Sequence, residues 1–268
     1  MLDARAATTR SCQVAFSFDF DAEEVWLAED PENADRPGVL SQGIYGAKVG
    51  LPLVLDVLRR SAVRATFFIP GRVAERYPER VGEILRDGHE IGHHGYTHRS
   101  PSRLAAAEEE AELVKGKAIL ESCGATVEGY RSPSWEFSPR TLDLLDRHGF
   151  RYSSNLMDDI RPYRHDGSRV VEVPVQWILD DAPHFWFSDS SWDKKIATVD
   201  EVRSIWLAEL QGICALGGAC VFTMHPQIIG RPGRLPLLES MIAAARRVPH
   251  VALMTVGEIA ATVSGGPA

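Results

Sequence analysis

The sequence predicts an α/β protein: a distorted (β/α) barrel of about seven parallel strands, in a single domain spanning residues 1–268 with about 1–12 and 264–268 as terminal extensions. Three observations predict it. Short β-rich runs alternate with helical segments from one end of the chain to the other, the pattern of parallel βαβ units. Seven or eight such units in 268 residues suit one closed barrel better than two domains. No Gly/Ser/Pro-rich linker and no repeat interrupts them.

The strands are predicted at Gln13–Phe20, Val63–Ile69, His89–Gly92, Val127–Tyr130, Arg151–Ser154, Val170–Trp177, Ala219–Met224 and Val251–Val256. Between them, Val49–Arg60 carries Val49, Leu53, Val57 and Leu58 on one stripe, an amphipathic helix. Val73–Arg86 follows Pro70-Gly71 and stops at Asp87-Gly88, a C-cap signal. Leu104–Ser122 closes at Gly124, and its Glu108-Glu109-Glu110 run reads as a solvated face. Ser138-Pro139 opens a further helix, with Ser as N-cap and Pro at the first position, ending at His148-Gly149. Val199–Leu216 and Leu235–Val248 complete the set. Two stretches, Asp21–Ala47 and Ile178–Thr198, read as long irregular loops, which usually shape a site.

Composition narrows the function classes. Hydrophobic residues make up 44% and charged residues 25%, an ordinary globular balance. A formal charge of -8 disfavours nucleic acid as a partner. No apolar run approaches a membrane span, and the first twelve residues, with Asp3, Arg5 and Arg10, do not read as a secretory signal. Cys12, Cys123, Cys214 and Cys220 form no C-x-x-C pair. They read as buried free thiols in a reducing cytoplasm, with no structural zinc site.

In parallel barrels the chemistry gathers at the carboxyl ends of the strands, and the unusual polar residues of this chain fall there. Asp19 and Asp21 lie two apart, so their side chains share a face. Two such carboxylates repel unless a cation or proton lies between them. His94 and His98, four apart with Gly95 between, can converge on one metal from a single turn. With one aspartate they leave open coordination positions for water and substrate. His93 is expected to point away, as a hydrogen-bonded supporting residue. His225 follows an apolar strand and suits proton transfer. Arg131, permanently charged, can pair with an aspartate that must stay ionised. Trp26, Trp135, Trp186 and Trp192 lie in loops or near strand ends, where they could stack on sugar rings or pack internally. Trp26, Trp135 and Trp177 are the candidate substrate-binding residues. The aromatic-rich stretch Asp180–Asp189 reads as a substrate lid or an oligomer contact, and Asp158-Asp159 as a solvated loop. A two-histidine, one-carboxylate set also holds Fe(II) in oxygenases, and a non-catalytic barrel that binds a glycan or a partner is a third possibility.

Asp19-Phe-Asp21, His94-x-x-x-His98, Arg131-Ser-Pro-Ser-Trp135 and Met224-His225, in this order, resemble the motifs of the polysaccharide deacetylase family (carbohydrate esterase family 4) from about residue 13 to 260. That resemblance implies a metal-dependent hydrolase of non-peptide carbon–nitrogen bonds, acting on N-acetylated sugars. It implies Asp21, His94 and His98 as metal ligands, Asp19 as general base, Arg131 as its ionic partner and His225 as general acid. The ion is a divalent metal, zinc first, with cobalt, nickel or manganese as alternatives. Phe20 separates two aspartates that are adjacent in the family's commonest first motif. The segments around His94–His98, Trp135–Phe137 and His225–Arg234 resemble an intracellular branch with cyclic imide hydrolases, allantoinase-like ring-opening enzymes and peptidoglycan deacetylase-like proteins. A small cyclic imide or ureide is therefore the alternative substrate. The branch further implies a cytoplasmic homo-oligomer, dimer or tetramer, without membrane or nucleic-acid partners.

Overall fold

The computed structural model describes residues 12–187 and 194–263; Trp192 and the end of the Asp180–Asp189 stretch lie outside them. The strands are β1 (Cys12–Asp19), β2 (Thr66–Ile69), β3 (Glu90–His93), β4 (Gly129–Tyr130), β5 (Tyr152–Ser153), β6 (Tyr163–Arg164), β7 (Val171–Glu172), β8 (Ala219–Met224) and β9 (Val251–Leu253). They form one curled sheet in the order β6-β7-β5-β4-β3-β2-β1-β8, with β9 also paired to β1. Every pairing is parallel except β6 with β7. The open side is drawn together by the parallel bridge Asp180–Thr223 and by Ala219 N–H donating to the Ile160 carbonyl at 2.8 Å.

The period of two along β1 explains both the core and the site. Val14, Phe16 and Phe18 belong to the large cluster between the strands and the surrounding helices, where Phe16 stacks on Phe222 at 5.2 Å and Phe18 on Phe67 at 5.0 Å. Ala15 points the other way, into an interior cluster with Phe68, Tyr152, Val173 and Val221. Ser17 and Asp19 continue that inner row, so the strand's own alternation delivers a carboxylate to the mouth of the barrel. Burial on both faces is what a central parallel strand requires.

Several expectations need correction. The Asp21–Ala47 stretch is mostly helical: Glu24–Glu29, a 3-10 turn Pro31–Asp35 and Pro37–Tyr45, which passes through a π turn (Gly46–Gly50) into Leu51–Arg60. Sequence reading missed this because Pro31, Pro37 and three glycines mask the periodicity, whereas Pro at the first turn of a helix is tolerated. The helix expected at Val73–Arg86 is two, Gly71–Arg76 and Pro78–Arg86, broken where Pro78 disfavours helical backbone at Tyr77. The next helix runs Thr141–Arg147, beginning later than expected; Ser138 Oγ accepts from Arg140 N–H at 3.0 Å ahead of it and donates to Glu109. Glu109 itself is buried, bonded to Ser138, Thr141 and Arg140, so only part of the glutamate run is a solvated face. Of the strand expected at Val170–Trp177 only two residues pair, and β6 was not anticipated.

Cys12 and Cys214 are joined in a disulfide, while Cys123 and Cys220 are free. The expectation of four thiols fails because β1 begins beside the end of the helix Val199–Ala215, two places 202 residues apart in the chain. Cysteine usage therefore gives no argument for a reducing compartment. Among the described residues no helix is long and apolar enough to cross a membrane.

Candidate active site

Four strand ends build the site. Asp19 closes β1, and its Phe20 N–H still pairs with the Phe68 carbonyl at 2.9 Å before the chain turns at Ala22, whose φ is +45°. That turn is set by close packing: a side chain at Gly43 would come within 2.5 Å of the Ala22 backbone. Asp21 is left buried, with its Oδ1 lacking a hydrogen-bond partner among the described residues.

β3 leads into the loop that carries the histidines. His94 Nδ1 lies 2.8 Å from the Arg131 carbonyl. A carbonyl can only accept, so Nδ1 carries a proton and Nε2 is the nitrogen turned into the site. That Nε2 faces Asp21 Oδ1 at 3.5 Å, and His98 Nε2 faces the same oxygen at 3.6 Å. The loop reverses through positive φ at Gly95 (+77°) and His98 (+56°). Glu112 pins it, accepting from Tyr96 N–H at 3.0 Å, Thr97 N–H at 2.7 Å and the Thr97 hydroxyl at 2.6 Å. His93 supports it as expected: Nδ1 accepts from Gly95 N–H at 3.0 Å, and Nε2 donates to the Leu113 carbonyl at 3.0 Å. Burial lowers the pKa of His98 to about 4 and that of His93 to about 3, so both rings are neutral at physiological pH.

A buried carboxylate oxygen without a hydrogen-bond partner among the described residues, facing the Nε2 atoms of two imidazoles of which burial keeps that of His98 neutral, fits a divalent cation. Asp21, His94 and His98 present these atoms within 4.8 Å of one another.

Arg131, at the end of β4, is wholly buried. Its Nη1 donates to Asp19 Oδ1 at 2.8 Å and to Ser17 Oγ at 2.9 Å, and its Nη2 to Ser154 Oγ at 3.0 Å. The guanidinium lies 4.1 Å above the Phe68 ring. Burial alone would raise the Asp19 pKa, but the charges of Arg131 and the nearby histidines, with the Arg131 hydrogen bond, hold it below the ordinary value. Asp19 is thus held ionised, and its Oδ2 lies 3.8 Å from His94 Nε2.

From β8 comes His225. Its Nδ1 lies 2.6 Å from Asp181 Oδ1, its backbone N–H donates to Asp181 Oδ2 at 3.0 Å, and its Nε2 faces Asp21 Oδ2 at 3.7 Å. Burial works against the charged ring, but Asp180 and Asp181 outweigh it and raise its pKa well above the ordinary value. Asp180, Asp181 and His225 also lie close enough to hold a cation, yet Asp181 already accepts the Nδ1 proton, so the group reads as an oriented acid.

Asp19, Asp21, His94, His98, Arg131 and His225 are therefore brought together. The tryptophans are not among them. Trp26 is buried and stacks on Trp186 at 4.8 Å, while Trp135, also buried, lies 4.4 Å from the half-exposed Trp177. A groove of about 650 Å3 runs past His98 between Arg99, Arg103, Ser134, Glu136 and Trp186. Sequence reading missed Asp181, assigned only to a lid or contact stretch, and Glu112, hidden in an acidic helix; neither carries a local signal.

A family model described as polysaccharide deacetylase matches residues 45–153. The chain is 30% identical to a peptidoglycan deacetylase of Helicobacter pylori, over 92% of this chain and 94% of that protein. It is 25% identical to a peptidoglycan deacetylase-like protein of Gibberella zeae, over 94% and 86%. Among solved structures, a putative polysaccharide deacetylase from Mycobacterium smegmatis superposes with a TM-score of 0.91 at 41% identity, covering 96% of this chain and 92% of that one. An allantoinase shares the fold, with a TM-score of 0.82 at 19% identity, covering 96% and 91%. With its strand-end aspartates and histidines gathered in one barrel mouth, the chain belongs to the polysaccharide deacetylase family and is a hydrolase of carbon–nitrogen bonds other than peptide bonds.

Proposed function

We propose that the protein removes acetyl groups from N-acetylated sugars, with Asp19 as base and His225 as acid on either side of a divalent ion, zinc first, held by Asp21, His94 and His98. The observation that carries this reading is the approach of both imidazoles and His225 to the single carboxylate of Asp21, within 3.5 to 3.7 Å. When bound, such an ion polarises the acetyl carbonyl and acidifies water. Asp19, kept ionised by Arg131, takes the proton as water attacks the carbonyl carbon. An amine leaves only when protonated; His225 Nε2 supplies that proton, and Asp181 holds the ring and stabilises its charge. Arg131 moves no proton: its bonds to the Ser17 and Ser154 hydroxyls hold the guanidinium, and its single bond to Oδ1 holds Asp19. The resemblance to the intracellular branch extends this reading to a cytoplasmic homo-oligomer, dimer or tetramer, which sizing by light scattering tests.

The decisive experiment compares acetate release from chitooligosaccharide with ring opening of succinimide, using protein of measured metal content. Deacetylation supports the reading; ring opening alone moves the substrate to cyclic imides. Asp19→Asn should abolish turnover while metal stays bound, and His98→Ala should release the metal. Full activity of the first or full occupancy in the second removes the assigned role.

A further inference from the structure

Beyond the strand-end cluster, the turn after His225 builds a second polar cavity of about 140 Å3, lined by Trp26, Gln42, Gln227, Arg231 and Arg234. Gln227 is 4% exposed, and among the described residues neither its Nε2 nor its Oε1 has a hydrogen-bond partner; Trp26 Nε1 is likewise buried and without a partner among them. A folded chain rarely keeps a buried primary amide unpaired, because desolvation is uncompensated unless something in the cavity pairs with it.

The two arginines are already oriented. Arg231 Nε donates to the Gln227 carbonyl at 3.3 Å and its guanidinium lies 3.6 Å over the Tyr45 ring. Arg234 Nη1 donates to the Ile228 carbonyl at 3.2 Å and its guanidinium lies 4.7 Å over Phe185. Each retains further N–H groups, so donors outnumber acceptors in the lining. The backbone at Gly46 packs against Gln227: a side-chain carbon there would come 3.0 Å from Gln227 Cβ and 3.1 Å from its Oε1.

We propose that this cavity is a binding site for a small organic carboxylate. A planar carboxylate accepts from guanidinium pairs and from the Gln227 amide, and the aromatic lining suits an apolar body better than it suits a bare inorganic anion. Trp186 borders both this cavity and the groove past His98, and Arg234 lies within electrostatic reach of Asp181. The carboxylate is thus borne by the substrate itself or is a free acid sensed beside the acid histidine.

The test is calorimetric titration of acetate, succinate and inorganic phosphate into the metal-loaded and the chelator-treated protein. Acetate and succinate should saturate one site in both forms, with phosphate weaker. R231Q and R234Q should each lose about tenfold in affinity. Q227E, equal in size and already carrying a carboxylate, should abolish binding; it decides the matter if the arginine variants do not fold. Absence of saturation, tighter phosphate binding, or affinity unchanged in the three variants overturns the proposal. The source is read from kcat/KM for N-acetylmuramic acid against N-acetylglucosamine, which differ by a lactyl carboxylate. A loss in R231Q confined to the former assigns the group to substrate, and unchanged kinetics with lost acetate binding assigns a free acid. Inactivity on both sugars and on chitooligosaccharide would sink the deacetylase reading and leave this site standing.

Discussion

Gly116 and Gly82 offer one substitution with two opposite outcomes. Gly116 lies in the helix Ala106–Ser122, where it packs on the loop that carries the histidines. A Cβ there would come 2.5 Å from His93 Nε2 and 2.8 Å from the Gly95 carbonyl oxygen, both held in place by the loop's own hydrogen bonds. Gly116→Ala gains about 1 kcal/mol of helix propensity. Overpacking against a fixed ring costs about 1–3 kcal/mol, and separating His93 from the Leu113 carbonyl leaves buried groups unpaired, for about 1–3 kcal/mol more. The net is a destabilisation of about 3 kcal/mol, or roughly 6–12 °C in Tm for a chain of this size. Gly82, in the helix Pro78–Arg86, has nothing within 4 Å of the added carbon. Gly82→Ala should therefore raise Tm by roughly 2–4 °C. Thermal melting of both variants, with zinc titration of each, is the assay. Because His93 adjoins His94, G116A should also weaken metal binding while G82A should not. If G116A melts no lower than the parent, the close approach of helix to loop is not what fixes the histidines.

Three further outcomes are expected. His89, whose Nδ1 accepts from the Ala65 N–H at 3.2 Å, has its pKa lowered to about 4 by burial, so the unfolded chain binds more protons between pH 6.5 and 4. Stability from this group is present above 6.5 and lost as pH falls, up to about 3 kcal/mol; His89→Gln should flatten that part of a Tm-against-pH curve, and an unchanged slope would contradict the assignment. Asp181→Asn should cut kcat about a hundredfold or less and move the alkaline limb of the pH profile toward acid, since a carboxylate that raises the His225 pKa is gone; a limb that stays put would remove Asp181 as its orienting partner. Thiol titration of unfolded, unreduced protein should count two free cysteines, and reduction should lower Tm, closing a 202-residue loop being worth about 2–4 kcal/mol; a count of four would contradict the Cys12–Cys214 pair.

Much of this site was legible because its residues sit where strands end. The apolar run through Phe18 announces β1, and period two then carries Ala15, Ser17 and Asp19 to one face without reference to the rest of the chain. The His94–His98 spacing is local as well. What escaped reading were partners whose meaning is positional. Asp181 resembles any loop aspartate until Thr223 bridges to Asp180. Glu109 and Glu112 belong to a glutamate-rich helix, and only their hydrogen-bond partners separate them from the solvated glutamates.

Taken alone, the order of residues determined the βα alternation and the strand-end aspartates and histidines, which follow from spacing within a dozen positions, and its motifs carried the resemblance to the family. Tertiary structure decided which of them meet. The curl of the sheet brings β1, β3, β4 and β8 to one mouth, ties Cys12 to Cys214, sets Asp181 behind His225, and leaves Gln227 enclosed beside two arginines. Those are contacts across tens to hundreds of residues, and they are fixed by close packing of a whole barrel, which no short window of sequence contains.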